Sequence, residues 1–151
     1  MEYHLAQINI ARMIGVKIDD PIMKEFVDNL DKVNGIAENS EGFVWRLKDE
    51  SNNAASFNPY NDEQVIINIS VWKDVESLQN YVYKSFHTDF LRRRKEWFNK
   101  YGKAHFALWW IKEGDLPTIE ECVERLDFLQ TNGSSARAFD FRKPFPKPNE
   151  K

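Results

Sequence analysis

Two residues able to do chemistry fall in the aromatic-rich segment of residues 85–101. If the segment is a helix, at about 100° per residue, His87 and Arg94 fall within one apolar stripe. Burying either side chain there costs free energy unless the side chain is paired or bound to something. His87 is therefore a candidate ligand or general acid/base, and Arg94 a candidate anchor for an anion or substrate. The alternative is that both satisfy internal partners, such as Asp89 or a backbone carbonyl. The other members of the stripe are Phe90, Leu91, Trp97, Phe98 and Tyr101.

A second polar cluster is predicted on two strands. Gln7 and Asn9 share one side of a strand over residues 3–10. A strand over residues 65–72 presents Asn68, Ser70 and Trp72 on one side. If the two strands are neighbours, these side chains gather over one patch of sheet, and such mixtures of aromatic and converging polar groups are typical of small-molecule pockets. A solvated face and a hydrogen-bonded dimer interface are the open alternatives.

Other patterns are weaker. Residues 84–103 contain seven Lys or Arg and two acidic residues, but the chain as a whole carries a net charge of -3, so a solvated helix face is favoured over nucleic-acid binding. His4 and His105 lack a placed carboxylate for a metal site, and we predict none. Cys122 lies on the apolar stripe of a helix and is expected to be inert. Neither a glycine-rich phosphate loop nor a serine nucleophile motif is present.

The periodicity of the chain predicts the elements that must position these residues. Strands are expected over residues 3–10, 43–48, 65–72 and 104–111, and helices over 21–38, after Asp74, over 88–101 and after the capping residue Thr118 up to Gly133. Residues 49–63 form a polar loop. We divide the chain into a domain over residues 1–133 and an extended tail over 134–151, rich in Phe and Pro, that lies on the surface or on a partner subunit.

The order strand–helix–strand–strand–helix–strand is the split βαβ, ferredoxin-like pattern, an α+β fold with an antiparallel sheet. Because the helices of this fold cover one sheet face, the other face is expected to be covered by a second copy, which predicts a homodimer.

Composition sets the class of protein. The chain has 151 residues, 42% of them hydrophobic and 30% charged, which is ordinary for a single globular domain. A single cysteine excludes a disulfide framework. A membrane span needs about 20 apolar residues, and no apolar run approaches that length. The first residues lack the features of a signal peptide, so we expect a cytoplasmic protein without a membrane partner.

Six segments in order resemble an uncharacterised bacterial family, domain of unknown function 3291, of the dimeric α/β-barrel superfamily. They are residues 4–12 (HLAQINIAR), 42–46 (GFVWR), 68–72 (NISVW), 83–87 (YKSFH), 92–98 (RRRKEWF) and 108–110 (LWW). The superfamily includes antibiotic-biosynthesis-type and haem-degrading monooxygenases. The latter use a strand asparagine, a helix aromatic and a histidine, and Asn9, Tyr81 and His87 fall in comparable places.

The resemblance implies a dimer whose pocket, between sheet and helices, binds a hydrophobic or planar molecule and oxidises it with O₂, with haem or without a dedicated cofactor. His87 would be the axial ligand or acid/base, and Asn9 and Asn68 would orient substrate or oxygen. Arg94 would hold an anion, and Trp72 and Tyr81 would form the wall. The competing hypothesis is a non-enzymatic ligand-binding or stress-related dimer.

Overall fold

The computed structural model describes residues 2–48, 57–84, 92–100 and 102–148, without the side chains of Lys84 and Arg94. The strands in this part of the chain are β1 (Tyr3–Met13), β2 (Phe43–Arg46), β3 (Val65–Trp72), β4 (Phe98–Asn99) and β5 (Phe106–Lys112). The helices are α1 (Lys24–Asp28), α2 (Leu30–Glu38), α3 (Val75–Lys84) and α4 (Ile119–Asn132). Single 3₁₀ turns span Pro21–Met23 and Arg94–Glu96.

β1 is the central strand of one antiparallel sheet. β3 pairs with one edge of β1 and β2 with the far edge of β3, while β5 and the short β4 pair with the other edge of β1. This order, with helices between β1 and β2 and between β3 and the next strands, confirms the predicted α+β, ferredoxin-like fold.

The sheet has two chemically different faces, because successive residues of β1 point to opposite sides. One face, which we call the apolar face, carries Ala6, Ile8 and Ile10 and packs against Cys122, Leu126 and Leu129 of α4. The other, which we call the polar face, carries Leu5, Gln7 and Asn9 and packs against α2, α3 and aromatic residues of the C-terminal tail.

The apolar face is therefore covered by the chain's own helix α4, and not left open as the sequence argument assumed. Ile8, Ile69 and Trp109 on this face are all at most 2% exposed in the single chain. A second copy is therefore not needed to cover this face, and the homodimer stays a prediction.

Local sequence explains where α4 begins and ends. Thr118 is the N-cap, and its hydroxyl oxygen accepts a hydrogen bond of 3.1 Å from the Glu121 backbone N–H. Gly133 ends the helix at a φ of 77°, a conformation that a side chain would disfavour. Burial raises the pKa of the Cys122 thiol to about 12, so this group is protonated at neutral pH, as expected of an inert cysteine.

The tail contributes to the interior. Ala138 and Phe139 are completely buried. Phe139 exchanges two backbone hydrogen bonds, of 2.7 and 2.9 Å, with Leu108 of β5, and the Trp110 indole N–H donates to the Phe145 carbonyl at 2.9 Å. This part of the tail thus lies against its own sheet, with Phe139 in the core and not on the surface.

Some predicted boundaries were wrong. The expected helix over residues 88–101 does not continue to its end, because Phe98 and Asn99 pair as a strand with Arg12 and Met13. The expected helix over 21–38 is split at Asn29 into α1 and α2. Residues 49–56 of the predicted loop and residues 85–91 lie outside the described residues. No helix in the described ranges is both long and apolar enough to cross a membrane.

Candidate functional site

Five polar side chains form a cross-strand group on the polar face. Gln7 lies opposite Ser70, Ser70 lies opposite Arg46 of β2, and in the next row Asn9 lies opposite Asn68. We call these five residues the polar band. It separates two apolar clusters on the same face, one around Leu5, Trp72 and Leu108 and the other around Met13, Met23 and Trp97.

One part of the polar band is a closed hydrogen-bond chain. Gln7 Nε2 donates to Asn68 Oδ1 at 2.6 Å and to Ser70 Oγ at 2.7 Å, and the Trp72 indole N–H donates to the same Ser70 Oγ at 2.8 Å. Gln7 and Ser70 are only 3% and 6% exposed, so these bonds offset the free energy of burying an amide and a hydroxyl. The structure therefore brings Gln7, Asn68, Ser70 and Trp72 together, as predicted from strand spacing.

The other part of the polar band is not closed. Asn9 lies next to this chain, directly opposite Asn68, but within the described part of the protein its buried side-chain oxygen has no hydrogen-bond partner. Asn68 is solvent-exposed and Asn9 half-buried. The polar band thus changes from a satisfied interior at Gln7 and Ser70 to an end with unused hydrogen-bonding capacity at Asn9 and Asn68. We call the latter the open end.

Aromatic residues form the wall beside the closed part. Tyr81 of α3 stacks on Trp72 with ring centroids 5.2 Å apart, and Phe43 meets Trp72 edge-on at 5.4 Å. The Tyr81 hydroxyl donates to the Val33 carbonyl at 3.3 Å. Burial raises the pKa of the Tyr81 phenol above its ordinary range, so Tyr81 is neutral at physiological pH.

Arg46 is a member of the polar band that the sequence analysis missed. It is 5% exposed, and its guanidinium contacts Glu38 Oε1 through Nη2 at 3.1 Å and Nε at 3.2 Å. Regular alternation would place Arg46 and Phe43 on opposite faces of β2. An irregularity in the pairing between Phe43 and Trp45 brings both to the polar face, and strand periodicity cannot predict that shift.

The two candidates from the aromatic-rich segment cannot be placed at this site. His87 lies outside the described residues. The Arg94 backbone begins the 3₁₀ turn Arg94–Glu96, and its side chain is not described. Because the helix assumed for residues 88–101 gives way to β4, the single stripe that grouped His87 and Arg94 does not extend to its predicted end. Their roles stay predictions.

A separate surface groove of about 490 Å³ is lined by Pro21, Lys24, Glu25, Asp28 and Trp97 among others, and it shares no residue with the polar band. Its charges are paired with one another or with Arg93. Lys24 contacts Asp28 at 2.6 Å, and Arg93 bridges Glu25 and Glu96. These ion pairs account for the charged residues of the groove. The groove contains none of the residues that the sequence pattern predicts to do chemistry.

Haem does not fit the described part of the site. No polar-band residue is an axial haem ligand of the usual kinds. His4 lies on the apolar face, opposite Ile111, and the Tyr81 phenol is bonded to a carbonyl. Within the described ranges no group of three or more His, Cys, Asp or Glu residues could hold a metal ion. We derive no step through haem, and its possible ligand His87 lies outside the described residues.

The fold and the site together define an antiparallel α+β, ferredoxin-like domain with a polar band on its helix-covered face. The chain belongs to the family described as a domain of unknown function (DUF3291), whose family model matches residues 4–151. No curated protein matches the chain.

Two solved structures are similar to the chain, both at 12% identity. A protein of unknown function, NE2512 from Nitrosomonas europaea, has a TM-score of 0.50, with 77% of this chain and 96% of that chain covered. PA3566 from Pseudomonas aeruginosa has a TM-score of 0.49, with 76% and 98% covered. The first similarity shows the fold alone.

Proposed function

We propose that this protein binds a small, partly aromatic molecule at the open end of the polar band, next to Asn9 and Asn68. The observation that carries the proposal is the buried side-chain oxygen of Asn9, which has no hydrogen-bond partner among the described residues although the neighbouring Gln7 donates to both Asn68 and Ser70. Leaving a buried acceptor unpaired costs about 1–3 kcal/mol, and a ligand that donates a hydrogen bond recovers this free energy.

The surroundings of Asn9 suit a flat, apolar ligand. Phe106 lies directly opposite Asn9 on β5 and is half-buried. Its ring is 5.0 Å from that of Phe141 in the tail. Because the Asn9 oxygen is covered, a ligand reaches it only when neighbouring side chains shift. The half-buried rings of Phe106 and Phe141 are the candidates for this movement. Apolar walls with few polar groups are typical of small-molecule sites.

The test is a thermal-shift screen of small planar aromatic compounds, followed by calorimetric titration of each compound that stabilises the protein. We expect Asn9→Leu to weaken binding at least about tenfold, which corresponds to the loss of about one hydrogen bond. Asn99→Leu is the matched control, since Asn99 is an exposed asparagine of the neighbouring strand β4 and not part of the polar band.

Two outcomes would contradict the proposal. One is a screen in which no compound stabilises the wild-type protein. The other is equal weakening of binding by Asn9→Leu and Asn99→Leu. Binding that is lost only in Asn9→Leu would support a ligand at the open end of the polar band.

Two finer predictions stay open beside this one. Oxidation of the ligand with O₂, as in the monooxygenases of the superfamily, rests on the resemblance, and no described residue adds to it. Oxygen consumption in the presence of a bound compound and a reductant tests it, with His87→Ala as the diagnostic variant. The homodimer is tested by light scattering coupled to size-exclusion chromatography, where a mass of one chain, 17.9 kDa, would contradict it.

A further inference from the structure

We infer that the ligand presents the edge of a cyclic amide, an N–H next to its carbonyl, to Asn9 and Asn68. This inference rests on the proposed function and specifies its ligand class. It follows from the direction of the hydrogen bonds in the polar band, which fixes what each of the two asparagines has left to offer.

The network determines the role of Asn68. A glutamine amide nitrogen carries two hydrogens, and both hydrogens of Gln7 are used, one toward Ser70 Oγ and one toward Asn68 Oδ1. Because the Asn68 oxygen accepts this bond, the hydrogens of its Nδ2 are the donors that Asn68 can offer to a ligand. Among the described residues this nitrogen has no hydrogen-bond partner, and Asn68 is solvent-exposed.

Asn9 supplies the complementary group. Its Oδ1, to which no described group donates, is an acceptor, and Asn9 lies directly opposite Asn68 on the neighbouring strand. Directly opposite residues of an antiparallel pair have Cβ atoms about 4.5–5.5 Å apart. The open end thus sets one acceptor beside one donor, which is the complement of a ligand N–H beside a ligand C=O.

This pairing excludes other ligand edges. A carboxylate would place negative charge against the Asn9 oxygen, and an amidinium would place N–H groups against the Asn68 donors. A ketone or lactone would satisfy Asn68 but leave Asn9 unpaired. A site built to bond a ligand N–H rejects an analogue without it more strongly than an apolar pocket rejects a missing methylene. With Phe106 opposite Asn9, an aromatic lactam fits these requirements.

Three matched probes test the inference by calorimetric titration of the full chain. 2-Quinolinone has the lactam edge, N-methyl-2-quinolinone lacks the N–H, and coumarin has a ring oxygen in its place. We expect 2-quinolinone to bind at least about tenfold more tightly than either analogue. In Asn9→Leu the three affinities should converge, because the acceptor that distinguishes them is gone.

A reversal of specificity provides the sharper test. Asn68→Asp replaces the Nδ2 donor with an acceptor while one carboxylate oxygen still accepts from Gln7. We expect this variant to lose 2-quinolinone and to gain the ring-protonated form of 2-aminoquinoline, whose ring N–H and amino N–H are two adjacent donors. Asn99→Asp is the control, since it adds the same charge at an exposed asparagine on β4 outside the polar band, and it should leave the wild-type order unchanged.

The failure of this inference can be told apart from that of the proposed function. If the three probes bind equally and Asn9→Leu weakens the binding of all of them alike, the inferred lactam edge is contradicted, while the proposed binding site at Asn9 is supported. If 2-quinolinone does not bind at all while another compound binds in an Asn9-dependent way, the inference is likewise overturned. If no compound's binding depends on Asn9, both proposals fall.

Discussion

Tyr81 stacks on Trp72, with the two ring planes 26° from parallel and the Tyr81 hydroxyl bonded to the Val33 carbonyl. Trp72 is the last residue of β3, Tyr81 belongs to α3 and Val33 to α2. A single side chain therefore joins the sheet to both helices that cover its polar face.

The first prediction concerns the pH dependence of stability. The pKa of Tyr81 is raised in the folded protein, while in the unfolded chain it is near its ordinary value of about 10. Above pH ~10 the unfolded state loses this proton first, so the free energy of unfolding falls as pH rises, by up to about 1.4 kcal/mol per pH unit. Tyr81→Phe removes that contribution.

Urea unfolding of wild type and Tyr81→Phe, from about pH 8 to pH 11, measures the effect. At pH 8 the variant should be about 1 kcal/mol less stable, because the bond to Val33 is lost. This deficit should shrink above pH ~10. Parallel stability curves across the range would show that the pKa of Tyr81 is not raised.

A second prediction separates function from stability at Asn9. Asn9→Leu removes a buried acceptor that no described residue satisfies and replaces it with an apolar side chain of similar size. We expect the free energy of unfolding to rise by about 1 kcal/mol while ligand binding weakens. Thermal and urea unfolding of the ligand-free protein provide the measurement. A destabilised variant would indicate that Asn9 makes a structural bond in solution.

The turn before β2 gives a third prediction. Gly42 has a φ of +84°, and a Cβ at this position would collide with the Ser77 side chain. Gly102 has nearly the same φ, +87°, but no atom of the described residues lies within 4 Å of the position of a Cβ. Both changes to alanine carry the cost of a positive φ, and only Gly42→Ala adds the collision.

We therefore expect Gly42→Ala to be less stable than Gly102→Ala by about 1–3 kcal/mol, as measured by urea unfolding. The comparison cancels the effect of alanine on the unfolded chain, which is common to both variants. Equal losses of stability would mean that the β2 turn relaxes away from α3 at no cost.

A fourth prediction tests whether the tail is docked. Phe139 is completely buried, whereas Phe145 is half-buried and its backbone carbonyl accepts a hydrogen bond from the Trp110 indole. Phe139→Ala should cost about 3–5 kcal/mol of unfolding free energy, and Phe145→Ala clearly less. Urea unfolding compares the two variants. Similar small losses in both would place Phe139 outside the core in solution.

The fold was predictable where local sequence and final environment agree. The boundaries of β3 match the expected strand over residues 65–72, because its β-branched residues fit a buried, pleated strand. The start of α4 at Thr118 follows from its capping residue. The destination of α4 was not predictable, since an amphipathic stripe reveals that a helix packs but not against which face.

The candidate site was predictable in part for the same reason. Strand periodicity correctly grouped Gln7, Asn68 and Ser70, because β1 and β3 pair without irregularity over that stretch. Strand periodicity failed for Arg46, where the pairing shifts, and helical periodicity failed for Phe98, which pairs with β1 as a strand residue. Long-range pairing decided both cases, and no local window contains that information.

The central position of β1 has a consequence for synthesis. β1 pairs along both edges, yet about fifty residues separate Met13 from the start of β3, and β5 follows later still. At about 5–20 residues per second, a ribosome needs about 3–10 s to add the first partner strand. Until then both edges of β1 offer unpaired backbone groups to any other nascent chain. The period most exposed to aggregation therefore falls between the synthesis of β1 and that of β3, and a chaperone that shields extended apolar segments would act on β1 during that interval.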